Sequence, residues 1–195
     1  MNKTEARIIA GRAKRRVKDL IWEICGKGIK VNELSKPPRS ILFICKGNIC
    51  RSPFADRLAK KMFDDTLRHK VAIDSAGLDV KSPCPSPQNA IEAAAGFGID
   101  LQDHRSKPFK AEMVHDFDMI VAMETGQYKA LAKNSAASHA ELFLLPFFEN
   151  KNMHPSGYER YNLADPYGKS LEEFNRCFQR IERCLAGMAK MINAL

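Results

Sequence analysis

What the chain lacks narrows its chemistry first. Its six cysteines contain no Cys-x-x-Cys pair, which argues against a zinc site, a dithiol redox motif and a disulfide framework. Its five histidines show no ligand spacing, so neither a metal nor any other cofactor is expected. No apolar run approaches the roughly 20 residues of a membrane-spanning helix. Charges interrupt each apolar stretch near the amino terminus and no small-residue cleavage pattern follows, so a secretory signal is not expected either. These absences fit a reducing cytoplasm, where a reactive thiol survives.

Charge is plentiful but lopsided. The 195 residues carry a net charge of +8. Residues 1–40 hold eleven Lys and Arg against four Asp and Glu, a net of +7, which leaves +1 for everything after them. The basic character therefore belongs to an appendage. A helix is expected from Thr4 to Cys25, stopped by Gly26, with Ile9, Ala13, Val17, Leu20, Ile21 and Ile24 on one stripe. Ser35-Lys36-Pro37-Pro38 reads as a linker, dividing a basic extension, 1–38, from a body, 39–195. The stripe, the basic residues and Trp22 suit recruitment to an anionic membrane surface, at the inner face of the membrane, or to an acidic protein. Docking of the stripe on the body is the competing expectation, and nucleic acid is not the expected partner.

The body is organised around Ile41-Leu-Phe-Ile44-Cys45-Lys46-Gly47-Asn48-Ile49-Cys50-Arg51-Ser52-Pro53. Ile41 to Ile44 is an unbroken apolar run of strand length, the pattern of a strand buried on both faces of a parallel sheet. Gly47 and Asn48 then accept left-handed backbone angles most readily. Ser52 as N-cap and Pro53 at the first helical position would open a helix. Strand, tight loop and helix N-terminus make an anion site, with loop N–H groups turned inward and Arg51 offering a planar fork of donors. The same positive field favours thiolate over thiol at Cys45, a nucleophile beneath a bound phosphoryl group.

Spacing alone does not carry this reading. Cys177-Phe-Gln-Arg-Ile-Glu-Arg183 repeats the Cys-x5-Arg pattern inside a helical stretch without a glycine, where a core cysteine is expected. The context of strand, Gly-Asn and Ser-Pro separates the first copy from the second.

Downstream, Val71 to Ile73, Met119 to Ala122 and Leu142 to Leu145 read as further strands. Helices are expected to about Leu67, over Gln88–Phe97, over Phe109–His115, around Gly126–Lys133, and from a capping box at Ser170-Leu-Glu-Glu173. The alternation predicts an α/β fold, a parallel four-stranded sheet flanked by helices, with its site at the carboxyl end of the first strand. The long polar connection from Glu149 to Gly168 is of the kind that carries function.

Cys45 to Pro53 resembles the signature of the low-molecular-weight protein tyrosine phosphatases. Asp74-Ser75-Ala76-Gly77, Phe117-Asp118 and Asp165-Pro166-Tyr167 follow in that family's order. The resemblance implies a Rossmann-like three-layer sandwich and hydrolysis of phosphotyrosine through a cysteinyl-phosphate. It assigns Cys45 as nucleophile, Arg51 as phosphoryl clamp and Asp165 as general acid. Lys46, Gly47, Asn48, Ile49, Cys50 and Ser52 would complete the substrate-binding loop, with Asn48 and Ser52 also supporting the thiolate. Tyr167 would stack on the substrate ring and His104 would brace the loop from behind. Phosphotyrosine proteins, bacterial tyrosine kinases among them, are the implied partners. Cys45 and Cys50, on one tight loop, form a candidate regulatory disulfide. Three alternatives remain at this stage. Arsenate reductases of this fold need two more redox cysteines, and Cys84 is one candidate. Arginine phosphatases of this fold carry threonine where Ile49 stands. A phosphate-binding adaptor would need no nucleophile. Leu78 to Ser86 contains no aromatic residue, which leaves substrate preference open.

Overall fold

The computed structural model describes residues 29, 34–67, 69–134, 139–149 and 157–195. The helix expected over Thr4–Cys25 lies outside the described residues. Four strands, β1 (Ser40–Cys45), β2 (Ala72–Gly77), β3 (Met119–Ala122) and β4 (Glu141–Leu144), form one parallel sheet in the order β2-β1-β3-β4. The helices are α1 (Arg51–Thr66), α2 (Gln88–Ala95), α3 (Thr125–Asn134), α4 (Tyr158–Tyr161) and α5 (Leu171–Asn193), with 3-10 turns at Ala111–His115 and Leu145–Phe148. Among the described residues, no helix is long and apolar enough to cross a membrane.

β1 shows why its run of apolar residues has no polar alternation. Ile41 and Phe43 enter one core with α1, α2 and α5, whereas Leu42 and Ile44 enter a second core with Val114 and Leu131 on the opposite face. All four side chains are fully buried. Three layers result, and β1 is the central strand that both cores need. On the α5 side the Phe54 and Phe178 rings stack at 3.8 Å, with Phe97 and Phe174 edge-on around them. Helix α5 meets the Leu145–Phe148 turn at backbone contact: a Cβ on Gly187 would stand 1.8 Å from the Phe148 carbonyl oxygen. Just beyond, Arg180 and Arg183 both reach the buried Glu149 carboxylate at 2.9 and 3.0 Å. The second Cys-x5-Arg copy thus gives its arginine to a structural ion pair.

Four expectations need correction. Helix α1 starts at Arg51 with Cys50 in the capping position, so Ser52 is not the N-cap and Pro53 is not the first helical residue. The Ser52 hydroxyl is instead engaged by Cys45 and Asn48, and Pro53 still lies in the first turn, where its missing N–H has no intrahelical partner to lose. Strand β2 runs through Asp74-Ser75-Ala76-Gly77 rather than stopping before it; as an edge strand with bonded side chains it tolerates these polar residues. Phe109–His115 shortens to the 3-10 turn at Ala111–His115. Cys177 is half-buried rather than a core residue, its thiol 3.6 Å from the Ala164 carbonyl oxygen.

The segment before β1 is stitched to the body at several points. Ile29 is buried in the α3-side core and Leu34 in the α5-side core. The Ser35 hydroxyl donates to Glu141 at 2.8 Å, the Arg39 N–H donates to Asp118 at 2.8 Å, and the His69 ring lies 3.0 Å from the Pro38 carbonyl. These contacts gather at the amino-terminal ends of the strands, the end away from the Cys45 loop. Burying an Ile or Leu side chain stabilises by about 1.5–3 kcal/mol. A chain beginning at Ser40 should therefore melt roughly 5–10 °C below one beginning at Ile29. Equal melting temperatures by circular dichroism would show that the strap adds nothing.

Candidate active site

The sheet order places the carboxyl end of β1 beside those of β2 and β3, at the switch point where open α/β sheets bind ligands. Residues 46–50 leave β1, turn and enter α1. Asn48 takes a left-handed conformation, φ 50°, the one non-glycine residue to do so among those described. Gly47 does not share it, contrary to expectation. What holds Asn48 there is its side chain. The amide nitrogen donates to Ser52 Oγ at 2.9 Å and Ser75 Oγ at 3.0 Å, and the amide oxygen accepts from the Lys107 N–H at 2.9 Å.

That turn aims donors at sulfur. The Asn48 N–H donates to Cys45 Sγ at 3.2 Å, and Ser52 Oγ lies 3.1 Å from the same sulfur. Behind the turn, the His104 ring meets the Asn48 carbonyl oxygen at 2.7 Å. Burial lowers the His104 pKa, and that hydrogen bond opposes the shift. Ser75 passes the network on to Asp56 at 3.3 Å, whose pKa burial raises despite Lys60 beside it. Asn48 and Ser52 are fully buried beneath the loop rather than on the cavity wall.

Arg51 is the largest fully buried side chain, 1% exposed. Its Nη1 donates to the Leu163 carbonyl at 2.7 Å and pairs with Glu124, while Nη2 pairs with Asp165 at 2.7 Å. Burial works against the guanidinium charge, but the negative charge of Cys45, Asp165 and Glu124 outweighs it and holds the pKa above its ordinary value. Its Nε is buried and has no hydrogen-bond partner. Burial likewise pushes the Cys50 thiol far up, with Cys45 and Asp165 adding to the shift.

These groups open on one cavity of about 210 Å³, lined among others by Cys45, Lys46, Arg51, Asp79, Asp165 and Tyr167. Gly47, Ile49 and Cys50 also face it. Tyr167, 62% exposed, stands at the mouth. Its N–H bonds the Asp165 carboxylate at 3.2 Å. Asp165 and Cys45 lie 120 positions apart in sequence, and the fold brings them to the same guanidinium and cavity. Sequence reasoning missed Glu124, Leu163 and Asp79. A charged residue two positions past the end of β3 would have signalled Glu124, once β3 was known to lie beside β1. Among the described residues, no cluster of three His, Cys, Asp or Glu side chains is arranged to hold a metal.

The model for the low molecular weight phosphotyrosine protein phosphatases matches residues 40–195. The chain belongs to that family. Two Escherichia coli K12 members, the low molecular weight protein-tyrosine-phosphatases Etp and Wzb, are 32% and 28% identical to it. The alignments cover 79% and 80% of this chain, and 95% and 96% of theirs. The structure of Vibrio vulnificus Wzb in complex with benzylphosphonate superposes with a TM-score of 0.65 at 26% identity, covering 78% of this chain and 97% of that one. Membership makes this phosphatase a cysteine-dependent hydrolase of the protein-tyrosine-phosphatase class. The basic segment before Ser40 lies outside the family match.

The phosphatase loop also depends on a close approach from β2. A Cβ on Gly77 would meet the Asn48 nitrogen and the Gly47 carbonyl carbon, each at 2.9 Å, and Val80 Cγ2 at 2.7 Å. Backbone atoms cannot swing aside as a flexible side chain does. Gly77→Ala should shift the loop by a fraction of an ångström and cut p-nitrophenyl phosphate turnover by about 10- to 100-fold. Far-ultraviolet circular dichroism should stay native. Full turnover would show that the loop tolerates the added methyl.

Proposed function

We propose that Cys45, Arg51 and Asp165 carry the reaction, and that the substrate is a phosphotyrosine-bearing protein. The observation behind this reading is a buried guanidinium with an unpartnered Nε at the floor of the cavity that holds the Cys45 sulfur. An orphaned buried donor costs about 1–3 kcal/mol, and a phosphoryl oxygen would recover it. An occupant with no acceptor atom would leave that cost in place.

The reaction divides into two displacements. Cys45 Sγ attacks phosphorus while Asp165 protonates the departing tyrosyl oxygen, giving a cysteinyl-phosphate and free tyrosine hydroxyl. Water then attacks the phosphorus, Asp165 takes its proton, and the thiolate leaves as inorganic phosphate forms. Arg51 and the loop N–H groups hold the three non-bridging oxygens through both steps, already oriented before charge develops. In the unliganded arrangement Asp165 is the partner of Arg51 Nη2. An incoming phosphoryl dianion takes that place and frees the carboxyl group for the leaving oxygen. Asn48 and Ser52 keep the thiolate supplied with donors, His104 braces the turn, and Tyr167 lies along the substrate ring.

Cys45→Ser and Arg51→Lys should each abolish p-nitrophenyl phosphate hydrolysis, since a point charge does not replace a planar fork. Activity surviving Cys45→Ser, or removed by EDTA, would falsify the mechanism. Asp165→Asn should cost about 100-fold or more on phenyl phosphate and clearly less on p-nitrophenyl phosphate, whose leaving group needs less protonation. Equal losses would remove Asp165 from the acid role.

Cys50 serves as a resolving thiol in the same reading. Peroxide converts Cys45 to a sulfenic acid, which condenses with the Cys50 thiol, forming a disulfide and releasing water. Wild-type activity should return with dithiothreitol after peroxide, while Cys50→Ser recovers poorly. Matching recoveries would make Cys50 a packing residue. The setting that suits this chemistry is a reducing cytoplasm, and bacterial tyrosine kinases are candidate substrates. The basic segment upstream of Ile29, outside the described residues, is the element we assign to recruitment by an anionic membrane surface or acidic protein. Nucleic acid is not the partner this reading assigns.

A further inference from the structure

A second cavity, of about 300 Å³, adjoins the first and shares Gly47, Ile49 and Asp79 with it. Its remaining wall comes from Val80, Lys81, Ser82, Cys84 and Ser106. With no aromatic side chain between Leu78 and Ser86, nothing bulky fills this volume. The wall is braced: the Cys84 N–H donates to Ser106 Oγ at 2.9 Å, and the Ser106 N–H donates to the Cys84 carbonyl at 2.9 Å. Ser106 itself is buried.

We propose that this cavity is a peptide subsite, which takes the side chain two positions from the phosphotyrosine and selects a carboxylate there through Lys81. The proposal rests on the phosphatase reading and adds a substrate preference to it. In an extended peptide, side chains two residues apart project from the same face about 7 Å apart. Two adjoining cavities that share Gly47, Ile49 and Asp79 as a common wall suit that repeat, the way alternate side chains are read by strand-binding grooves. Sign is decided by the charges around the second pocket. Lys81 lines it with no ion-pair partner among the described residues. Arg105, next to Ser106, spends its guanidinium on the carbonyl oxygens of Gln102 and His104 and keeps its full charge. Lys107, on the other side of Ser106, is matched by Asp74. On the wall itself the one carboxylate, Asp79, offsets Lys81, so Arg105 beside Ser106 is what tips the surroundings positive and favours an acidic side chain.

The test uses the full chain and phosphotyrosine peptides with Glu, Ala or Lys two positions before or after the tyrosine. At one of those positions the Glu peptide should exceed the Ala peptide in kcat/KM by about two- to fivefold, the scale of an exposed ion pair, mainly through KM. The advantage should shrink at high salt. Lys81→Glu should remove it and favour the Lys peptide, and Cys84→Phe, which fills the cavity, should raise KM for every peptide. Equal rates at both positions, a Glu preference that survives Lys81→Glu, or a wild-type preference for Lys through Asp79 would each overturn the proposal. So would a peptide KM unmoved by Cys84→Phe. p-Nitrophenyl phosphate, too small to reach the second cavity, separates the two readings. If wild type hydrolyses it but shows no peptide preference, only the subsite fails; no hydrolysis at all refutes the phosphatase reading itself.

Discussion

A guanidinium removed almost completely from water sets the terms for the rest of this structure. An unpaired buried charge is costly enough that proteins avoid it, so Arg51 has to be surrounded by negative partners and acceptors. Glu124, Asp165, the Leu163 carbonyl and the Cys45 sulfur supply them. They come from three parts of the chain: the end of β1, the end of β3, and, for both Leu163 and Asp165, the connection before α5. Holding one positive charge therefore ties three chain segments together at the carboxyl end of the sheet. The same packing leaves one guanidinium N–H, at Nε, buried without a partner. Under the proposed mechanism a substrate phosphoryl group would replace the Asp165 carboxylate, so stability and binding would draw on one arrangement.

Around that charge, the loop is held from behind rather than by its own sequence. Asn48 is kept left-handed by hydrogen bonds to Ser52, Ser75 and Lys107, and Ser75 and Lys107 come from outside the loop. His104 and the close approach of Gly77 complete the support. Few of these contacts touch the cavity. They fix where the N–H groups point before any ligand arrives, so that binding does not have to order the loop. Preorganised donors of this kind are worth more in a dry site than in water.

The chain extends beyond the family match at its amino-terminal end, and the described residues just before β1 bond at the end of the sheet away from the Cys45 loop. Ile29, Leu34 and Ser35 attach the segment to both cores and to the first residue of β4. Ser35, Pro38 and Arg39 bond to the body at the end of the sheet opposite the Cys45 loop.

Much of this was readable from residues alone, and the division has a physical basis. Local rules covered β1, because a run buried on both faces has no alternation, and they covered β3 and β4 to within a residue. The Ser170 cap of α5 and the strand–loop–helix context of Cys45 and Arg51 are likewise local patterns. The errors lie where a side chain had a long-range partner. Ser52 resembles an N-cap, yet its hydroxyl serves Cys45 and Asn48. Asp74 and Ser75 resemble a strand end, yet their polar groups are satisfied at the sheet edge. Cys177 fits a core stripe, yet it faces the connection that carries Asp165. By itself the sequence determined the layered α/β class and the placement of Cys45 at the end of a buried strand, before a tight loop and a helix N-terminus. Only tertiary structure decided that Glu124 and Asp165 share Arg51, that Gly77 presses on the loop, and that a second cavity opens beside the first. Those are distances between residues far apart in the chain, and no local pattern encodes them.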